Sequence, residues 1–538
     1  MSRVRLALGM TFFAVPLLAM GPPPPPAPTD APVRQEDPPR LVVLLVVDAL
    51  SADLFERYQD LFTGGLRRLL EGGRVYPNAT NDYAIGETSP GHATMASGVY
   101  PSRHGVVANA WWEQDDTFEW RQIVNVIDPE MPLIELPGYE GASARVLLRP
   151  GLADWMYEYD DDTKVVSIAG KDRAAILMAS LHRGQVYWFD PLVGRFVTSV
   201  YYRDKYPRWV RRFNEGMIPE FQSDSTWWSD IPEPALARSR PDTTVYEADG
   251  INTAFPHVFR EGPVRDPPLS FYEWLATTPA VDALVLDMAR AAIDAEDLGD
   301  DETPDLLAIS LSQTDKVGHA YGPYSREELD NLLRLDRELG RFFEYLDAEI
   351  GDDTYLVAFT ADHGVLGIPE FIQDGDQPGV RLTRDALVEL QARFDEVVRE
   401  NAGRGANAVP NGLAAAIPEL PWVARAWTHE DLLSGELTDS MSIYVRRSLY
   451  QGRPGGLLGR FGVEILIEPN HLRWDVPRGT THGTPYLYDR RVPFILMGPG
   501  IAAGIDEERV SPVDLAPTLA EFAQVPYPDD LDGTSRKR

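Results

Sequence analysis

A chain of 538 residues is long enough for one large domain with insertions or for two lobes, since a single core stops growing at roughly 250–300 residues. Its 83 acidic against 50 basic residues leave a formal charge of −33, which excludes a surface built to bind nucleic acid or anionic lipid, because both would be repelled at long range. There is no cysteine, so disulfides, thiolate metal sites and a lipidated N-terminal cysteine are excluded, and any metal must be held by histidine and carboxylate.

Residues 1–21, "MSRVRLALGMTFFAVPLLAMG", place Arg3 and Arg5 before an apolar run that ends in small residues near Ala19 and Gly21. This is the pattern of a secretory signal peptide, and it predicts a periplasmic or secreted protein. The run is short for a membrane span and is interrupted by Pro16, so no stable span is expected after cleavage; an uncleaved anchor is the lesser alternative. Residues 22–39 are rich in proline, cannot bury a core, and are expected to form an extended linker.

From residue 40 to 538 the pattern is that of an α/β domain. Short apolar runs at 40–48, 163–170, 304–312, 354–362 and 491–498 read as buried strands, each followed by a loop and a helical pattern. Continuous apolar strands flanked by helices predict a mostly parallel central sheet covered on both faces. Helices are expected at 325–349, with Ser325 as N-cap, and at 511–523. Stretches at about 195–280 and 366–480 have weaker periodicity and read as inserted cap subdomains. The acidic run "DAEDLGDDETPD" reads as a solvated surface loop, and no internal repeat is present.

In open parallel sheets, ligands bind beyond the carboxyl ends of the strands. Asp48 closes the first strand, Asp315 and His319 follow the third, Asp362 and His363 close the fourth, and His482 precedes the last. Taken singly, each has a plainer role as a helix cap, turn residue or loop histidine. Together, three aspartates and three histidines make two sets of three hard-oxygen and imidazole ligands, a mixture suited to two Zn²⁺ ions.

The stretch "YAIGETSPGHATMASGVYPSRHGVVAN" adds a hydroxyl. Pro90 suits a first helical turn, Gly98 a helix end, and small residues lie between them, so Thr88 falls at or just before a helix N-terminus. Free N–H groups and partial positive charge make such an end a phosphate site, although Thr88 or Ser89 could also be simply an N-cap. A hydroxyl bound to a metal is instead a nucleophile, because the cation lowers its pKa.

The motifs "VVDAL", "ETSPGHATMASGVYPSRHGVVAN", "DKVGHAYGP", "ADHG", "THGTPYLYDRRVP" and "SPVDLAPTLA", in this order, resemble the alkaline phosphatase superfamily, in its type I phosphodiesterase/nucleotide pyrophosphatase-like branch. Within that branch the sequence is similar to the phosphate-irrepressible alkaline phosphatases with a threonine nucleophile. The resemblance implies one zinc on Asp315, His319 and His482, and a second on Asp48, Asp362 and His363 with Thr88 coordinated to it. It also implies in-line attack by Thr88 and a phosphothreonine intermediate. Asn109, Lys171 and Arg173 match the positions that grip the nonbridging oxygens of a phosphate monoester. His92 and His104 match positions that are not metal ligands and are expected to be hydrogen-bonders; His182, His257, His429 and His471 have no recognisable context.

The expected activity is hydrolysis of a broad range of small phosphate monoesters at neutral to alkaline pH. The alternative is a phosphodiesterase or nucleotide pyrophosphatase using the same two zincs. A sulfatase is disfavoured because Thr88 is not in a cysteine or serine motif that yields formylglycine, and a phosphoglycerate mutase-like role is disfavoured by the threonine and by export. From another class, a non-catalytic anion-binding protein is disfavoured by the complete ligand set. The tryptophan runs "NAWWE" and "TWWSD" could line a substrate mouth, but are expected to anchor insertions.

Overall fold

The apolar runs give the frame. In the computed structural model, which describes residues 37–115, 117–221, 226–259, 270–373 and 378–537, nine strands form one sheet. In chain order they are β1 (Leu41–Val47), β2 (Arg74–Val75), β3 (Val165–Ala169), β4 (Gln185–Asp190) and β5 (Arg195–Val197), then β6 (Asp305–Leu311), β7 (Tyr355–Thr360), β8 (Phe494–Met497) and β9 (Gly504–Ile505). Their spatial order is β9-β2-β8-β7-β1-β6-β3-β4-β5. The expected signal segment, and nearly all of the proline-rich linker, lie outside the described residues.

The five central strands β7, β1, β6, β3 and β4 run parallel. Every residue of β1, β3, β6 and β7 is buried, as strands covered on both faces require. Burying each valine or leucine contributes on the order of 1.5–3 kcal/mol, so this apolar core dominates the frame's stability. The predicted strand at 491–498 is present as β8 but runs antiparallel to β7, and the short β2, antiparallel to β8, lies beyond it. Arg195–Val197, at the start of the stretch read as an insertion, is the antiparallel edge strand beside β4.

Register sets the position of everything that follows. Leu41 pairs with both Asp305 and Tyr355, Val47 with Leu311, Val46 with Thr360, and Ser310 with Ala169. The carboxyl ends of four neighbouring strands therefore lie level, and Asp48, Lys171, Ser312 and Asp362 leave the sheet side by side.

The Arg326–Glu349 helix is capped by Ser325, whose hydroxyl accepts the Glu328 N–H. Asp336 on this helix accepts four backbone N–H groups at the start of the Gly65–Gly72 helix, which locks the two together. The predicted 511–523 helix is a 3₁₀ turn, Pro512–Asp514, running into the Leu515–Phe522 helix. Within the 366–480 stretch, an antiparallel pair, Val423–Thr428 and Val463–Ile467, packs with helical segments around a small core that includes Leu390, Leu413, Ile417 and Trp422. The acidic run is not wholly solvated: Asp305 at its end is fully buried and accepts the N–H groups of Gly299 and Lys164. Among the described residues no helix is long and apolar enough to cross a membrane.

Candidate active site

The Thr88–Ser97 helix begins at the quoted motif. Its N-cap is Glu87, in extended conformation, so Thr88 is the first helical residue rather than the cap. Gly98 ends it at φ 68°, the left-handed conformation that glycine adopts without penalty, with its N–H bonded to the Thr94 carbonyl. Gly91 has a different reason to be glycine: a Cβ there would lie 2.6 Å from the Asp362 Cβ and 2.8 Å from its carbonyl oxygen. The missing side chain lets the helix that starts at Thr88 press onto the chain just beyond β7 at Asp362.

The six predicted ligands fall into two sets, Asp315 with His319 and His482, and Asp48 with Asp362 and His363. In the first, Asp315 Oδ1 lies 3.1 Å from His319 Nε2 and 3.4 Å from His482 Nε2. In the second, His363 Nε2 lies 3.6 Å from Asp48 Oδ1 and 3.4 Å from Asp362 Oδ2. A tetrahedral zinc with bonds of about 2.1 Å has ligand atoms about 3.4 Å apart, so these spacings fit one ion per set.

Two further observations test the fit. Each imidazole turns Nδ1 to a backbone carbonyl: His319 to Thr480 at 2.8 Å, His363 to Gly364 at 2.9 Å and His482 to Gly86 at 2.7 Å. Nδ1–H donates in each case, which leaves Nε2 as the free lone pair, the arrangement a metal-binding histidine needs. The atoms aimed inward include Asp48 Oδ1, Asp315 Oδ1, Asp362 Oδ2 and His363 Nε2, all buried and without a hydrogen-bond partner. Three of these orphaned atoms converge in the Asp48 set and the fourth belongs to the Asp315 set, which is a demand for cations.

Electrostatics agree. Burial first, and then the charge of Asp362, push the Asp48 carboxyl up to about 7. Burial would also raise Asp362 and Asp315, but His363, His92 and Lys171 around the one, and His319 and Lys171 around the other, hold both below the usual carboxylate range. Burial lowers His363 and His482, which keeps them in the neutral form that ligates.

Lys171 follows the end of β3 and reaches between the two sets. Its Nζ is 2.6 Å from Asp48 Oδ2, 2.5 Å from Asp315 Oδ2 and 3.3 Å from Thr88 Oγ1. Asn109 accepts the Ser89 N–H on Oδ1 at 3.0 Å, while its own N–H donates to Glu87 Oε2. Arg173, in the first turn of the Asp172–Met178 helix, is at the same end of the sheet, but its Nη1 faces Asp172 at 3.5 Å and its Nε is buried without a partner.

His92 bonds the Thr88 carbonyl through Nδ1 at 2.8 Å and the Ser310 hydroxyl through Nε2 at 2.9 Å. His104 bonds Thr94 and the Val106 N–H. Trp111 and Trp227 of the two tryptophan runs are buried, and their indole N–H groups donate to Glu113 and Asp330. They anchor their segments.

Several contributors were not legible beforehand. Asp282, on the Ala280–Glu296 helix, accepts the N–H groups of Ser312 and Gln313 and so fixes the start of the Gln313–Tyr321 helix that carries Asp315 and His319. Nothing local in "AVDALVLDMARAAIDAE" marks it, because its partners are about thirty residues away. Asp489 accepts both the N–H and the hydroxyl of Thr484, two residues past His482. Lys316 is pushed down to about 8 by burial and by the charge of Lys171; its adjacency to Asp315 in "DKVGH" was the available signal.

A cavity of about 520 Å³ opens from this centre, with Glu87, Asn109, His319 and His482 at one end and Trp422 and Trp474 in its wall.

The chain as a whole is similar to known proteins. The model of the type I phosphodiesterase / nucleotide pyrophosphatase family matches residues 42–420. The alkaline phosphatase PhoK of Sphingomonas sp is 31% identical over 532 residues, spanning 92% of this chain and 90% of that protein. The alkaline phosphatase PafA of Elizabethkingia meningoseptica is 28% identical over 528 residues, spanning 92% and 93%. A crystal structure of PafA superposes with a TM-score of 0.81 at 27% identity, over 93% of this chain and 98% of that one. With the family model covering most of the chain and the fold shared over 93% of it, this protein belongs to the type I phosphodiesterase / nucleotide pyrophosphatase family and is an enzyme of the alkaline phosphatase superfamily.

Proposed function

We propose that this enzyme hydrolyses a broad range of phosphate monoesters through a phosphothreonine on Thr88. The observation that carries the reading is the position of Thr88 Oγ1: at a helix N-terminus, 3.3 Å from Lys171 Nζ, with Lys171 bridging two sets of converging ligand atoms. Zinc ions, held by Asp315, His319 and His482 and by Asp48, Asp362 and His363, would supply Lewis acidity that favours the ionised hydroxyl and offsets charge on the leaving oxygen.

The chain's own groups do the rest. Thr88 gives its hydroxyl proton to solvent and attacks phosphorus; the Oγ1–P bond forms as the bond to the ester oxygen breaks, and that oxygen leaves on the opposite side with the bonding pair, taking a proton from water to become the alcohol. Lys171 is cationic, since the charges of Asp315 and Asp48 outweigh burial and raise its pKa, so it serves as a fixed positive charge beside the nucleophile. The Ser89 N–H is engaged by Asn109, Pro90 has none and the Gly91 N–H bonds the Glu87 carbonyl, so what the helix start contributes is its partial positive charge beside the phosphoryl oxygens. Asn109, with its oxygen engaged by Ser89, offers its amide N–H₂ to the same oxygens. Arg173 completes the grip by turning from Asp172 to the dianion, a forked donor suited to it. Water then attacks the phosphothreonine: its O–P bond forms as the Thr88 Oγ1–P bond breaks, Oγ1 is reprotonated by the proton that the water gives up, and phosphate is released.

Residues 40–538 act as the catalytic domain, with the part of 195–280 beyond the edge strand Arg195–Val197, and 366–480, as its insertions, after export directed by residues 1–21 to the periplasm or the medium. Thr88→Ala tests the reading: turnover of monoesters is abolished while phosphate still binds, and retained turnover would sink it. A phosphodiesterase is the second reading, favoured by Arg173 facing Asp172 rather than Thr88.

A further inference from the structure

The cavity beside the catalytic centre has a direction. Its catalytic end is lined by His319 and His482 of one ligand set, whereas Asp48, Asp362 and His363 of the other set are absent from its wall. Gly91 packs the Thr88 helix against Asp362, so the nucleophile approaches from the set that the cavity avoids. In-line displacement puts the entering and departing oxygens on opposite sides of phosphorus. The cavity therefore opens on the departing side.

Its chemistry is equally directional. Its wall includes an apolar patch of Ile465, Ile467 and Leu472 with Trp422 and Trp474, whose rings meet edge to face at 5.9 Å between centroids. The indole N–H of Trp422 is buried and has no partner. A volume of about 520 Å³ is far more than a small alcohol fills, and falls in the range of about 300–1,000 Å³ typical of sites for ring-bearing ligands. Charge argues against a second phosphate: Glu87, Glu464 and Asp489 line the cavity, and its Arg473 is paired with Asp475.

We propose that this cavity is a leaving-group subsite for an uncharged aromatic alcohol, held by its ring against Trp474. The proposal rests on the monoester reading for its orientation. Binding of two non-hydrolysable phosphonates to the zinc-loaded protein, measured by calorimetry, tests it without turnover. Naphthylmethylphosphonate binds at least about tenfold more tightly than methylphosphonate, as burial of a two-ring group together with an aromatic pair predicts. Trp474→Ala reduces that ratio several-fold, Trp474→Phe restores most of it, and Ile465→Trp, which fills the cavity from the facing strand, reduces it independently. Methylphosphonate binding and zinc content stay constant throughout. Equal affinities for the two phosphonates, or a ratio unmoved by both Trp474→Ala and Ile465→Trp, would overturn the subsite. Discrimination that persists in a protein unable to hydrolyse any monoester would support the subsite and fault the monoester reading instead.

Discussion

Asn109 Oδ1 accepts the Ser89 N–H at 3.0 Å, so the residue after Thr88 is tied to the far end of its own sequence motif, twenty positions on. The bond uses the oxygen of the amide and leaves the N–H₂ for a ligand. Asn109→Ala removes both a helix-start partner and a donor to the phosphoryl group. A hydrogen bond to a charged group contributes about 1.5–3 kcal/mol, so kcat/KM for monoesters falls by about 10–100-fold, and Asn109→Asp falls further because its charge repels the dianion. Steady-state kinetics on an alkyl phosphate checks both.

Lys171 joins Asp48 and Asp315, and this gives a stability prediction separate from catalysis. Removing one partner of a buried ion pair costs about 3–5 kcal/mol, because the other charge is left uncompensated. Lys171→Met in chelator-treated protein therefore melts well below the wild type. Added zinc, which compensates the same carboxylates, narrows the gap. Thermal denaturation with and without metal reads this directly.

Lys171 and Arg173 also separate the two enzymatic readings. A monoester dianion presents more charge to them than a diester, so Lys171→Ala/Arg173→Ala lowers kcat/KM for an aryl monoester by at least about tenfold more than for the matching diester. Equal losses would favour the phosphodiesterase reading.

His482→Ala should lower the zinc content from two ions to one, because its Nε2 belongs to the Asp315 set alone. His363, stacked on the His482 ring at 3.7 Å, keeps its own anchor at the Gly364 carbonyl. Elemental analysis checks the stoichiometry, and a loss of both ions would show the two sites to be interdependent.

His104 predicts the acid limb of stability. Burial, followed by the nearby charge of Arg453, pushes its imidazole down to about 3 from the usual 6.5. A group with a depressed folded-state pKa contributes stability that is present above 6.5 and lost as pH falls towards 3. Over that window it alone tilts the unfolding free energy by up to about 1.4 kcal/mol per pH unit. His104→Gln, which cannot titrate, flattens this limb in denaturant titrations from pH 7 to 4; an unchanged slope would show that His104 does not titrate on unfolding.

The sequence by itself determined the pieces whose signals are local. Apolar runs such as "RLVVLLVVD" and "TYLVAFTAD" need burial on both faces, so they mark the central strands, and Asp48 and Asp362 are recognisable because they terminate those runs. Tertiary structure alone decided what depends on register and on distant partners. The level ends of β1, β3, β6 and β7 turn six ligands scattered from 48 to 482 into two sets. The same packing brings Asp282 to the Ser312 N–H, sets Lys171 between Asp48 and Asp315, reverses β8, and places Trp422 and Trp474 rather than Trp111 and Trp227 in the cavity wall. The physical reason is that a strand or cap is specified by neighbours a few residues away, whereas a buried charge, a strand's direction and a cavity wall are specified by chain segments tens to hundreds of residues apart.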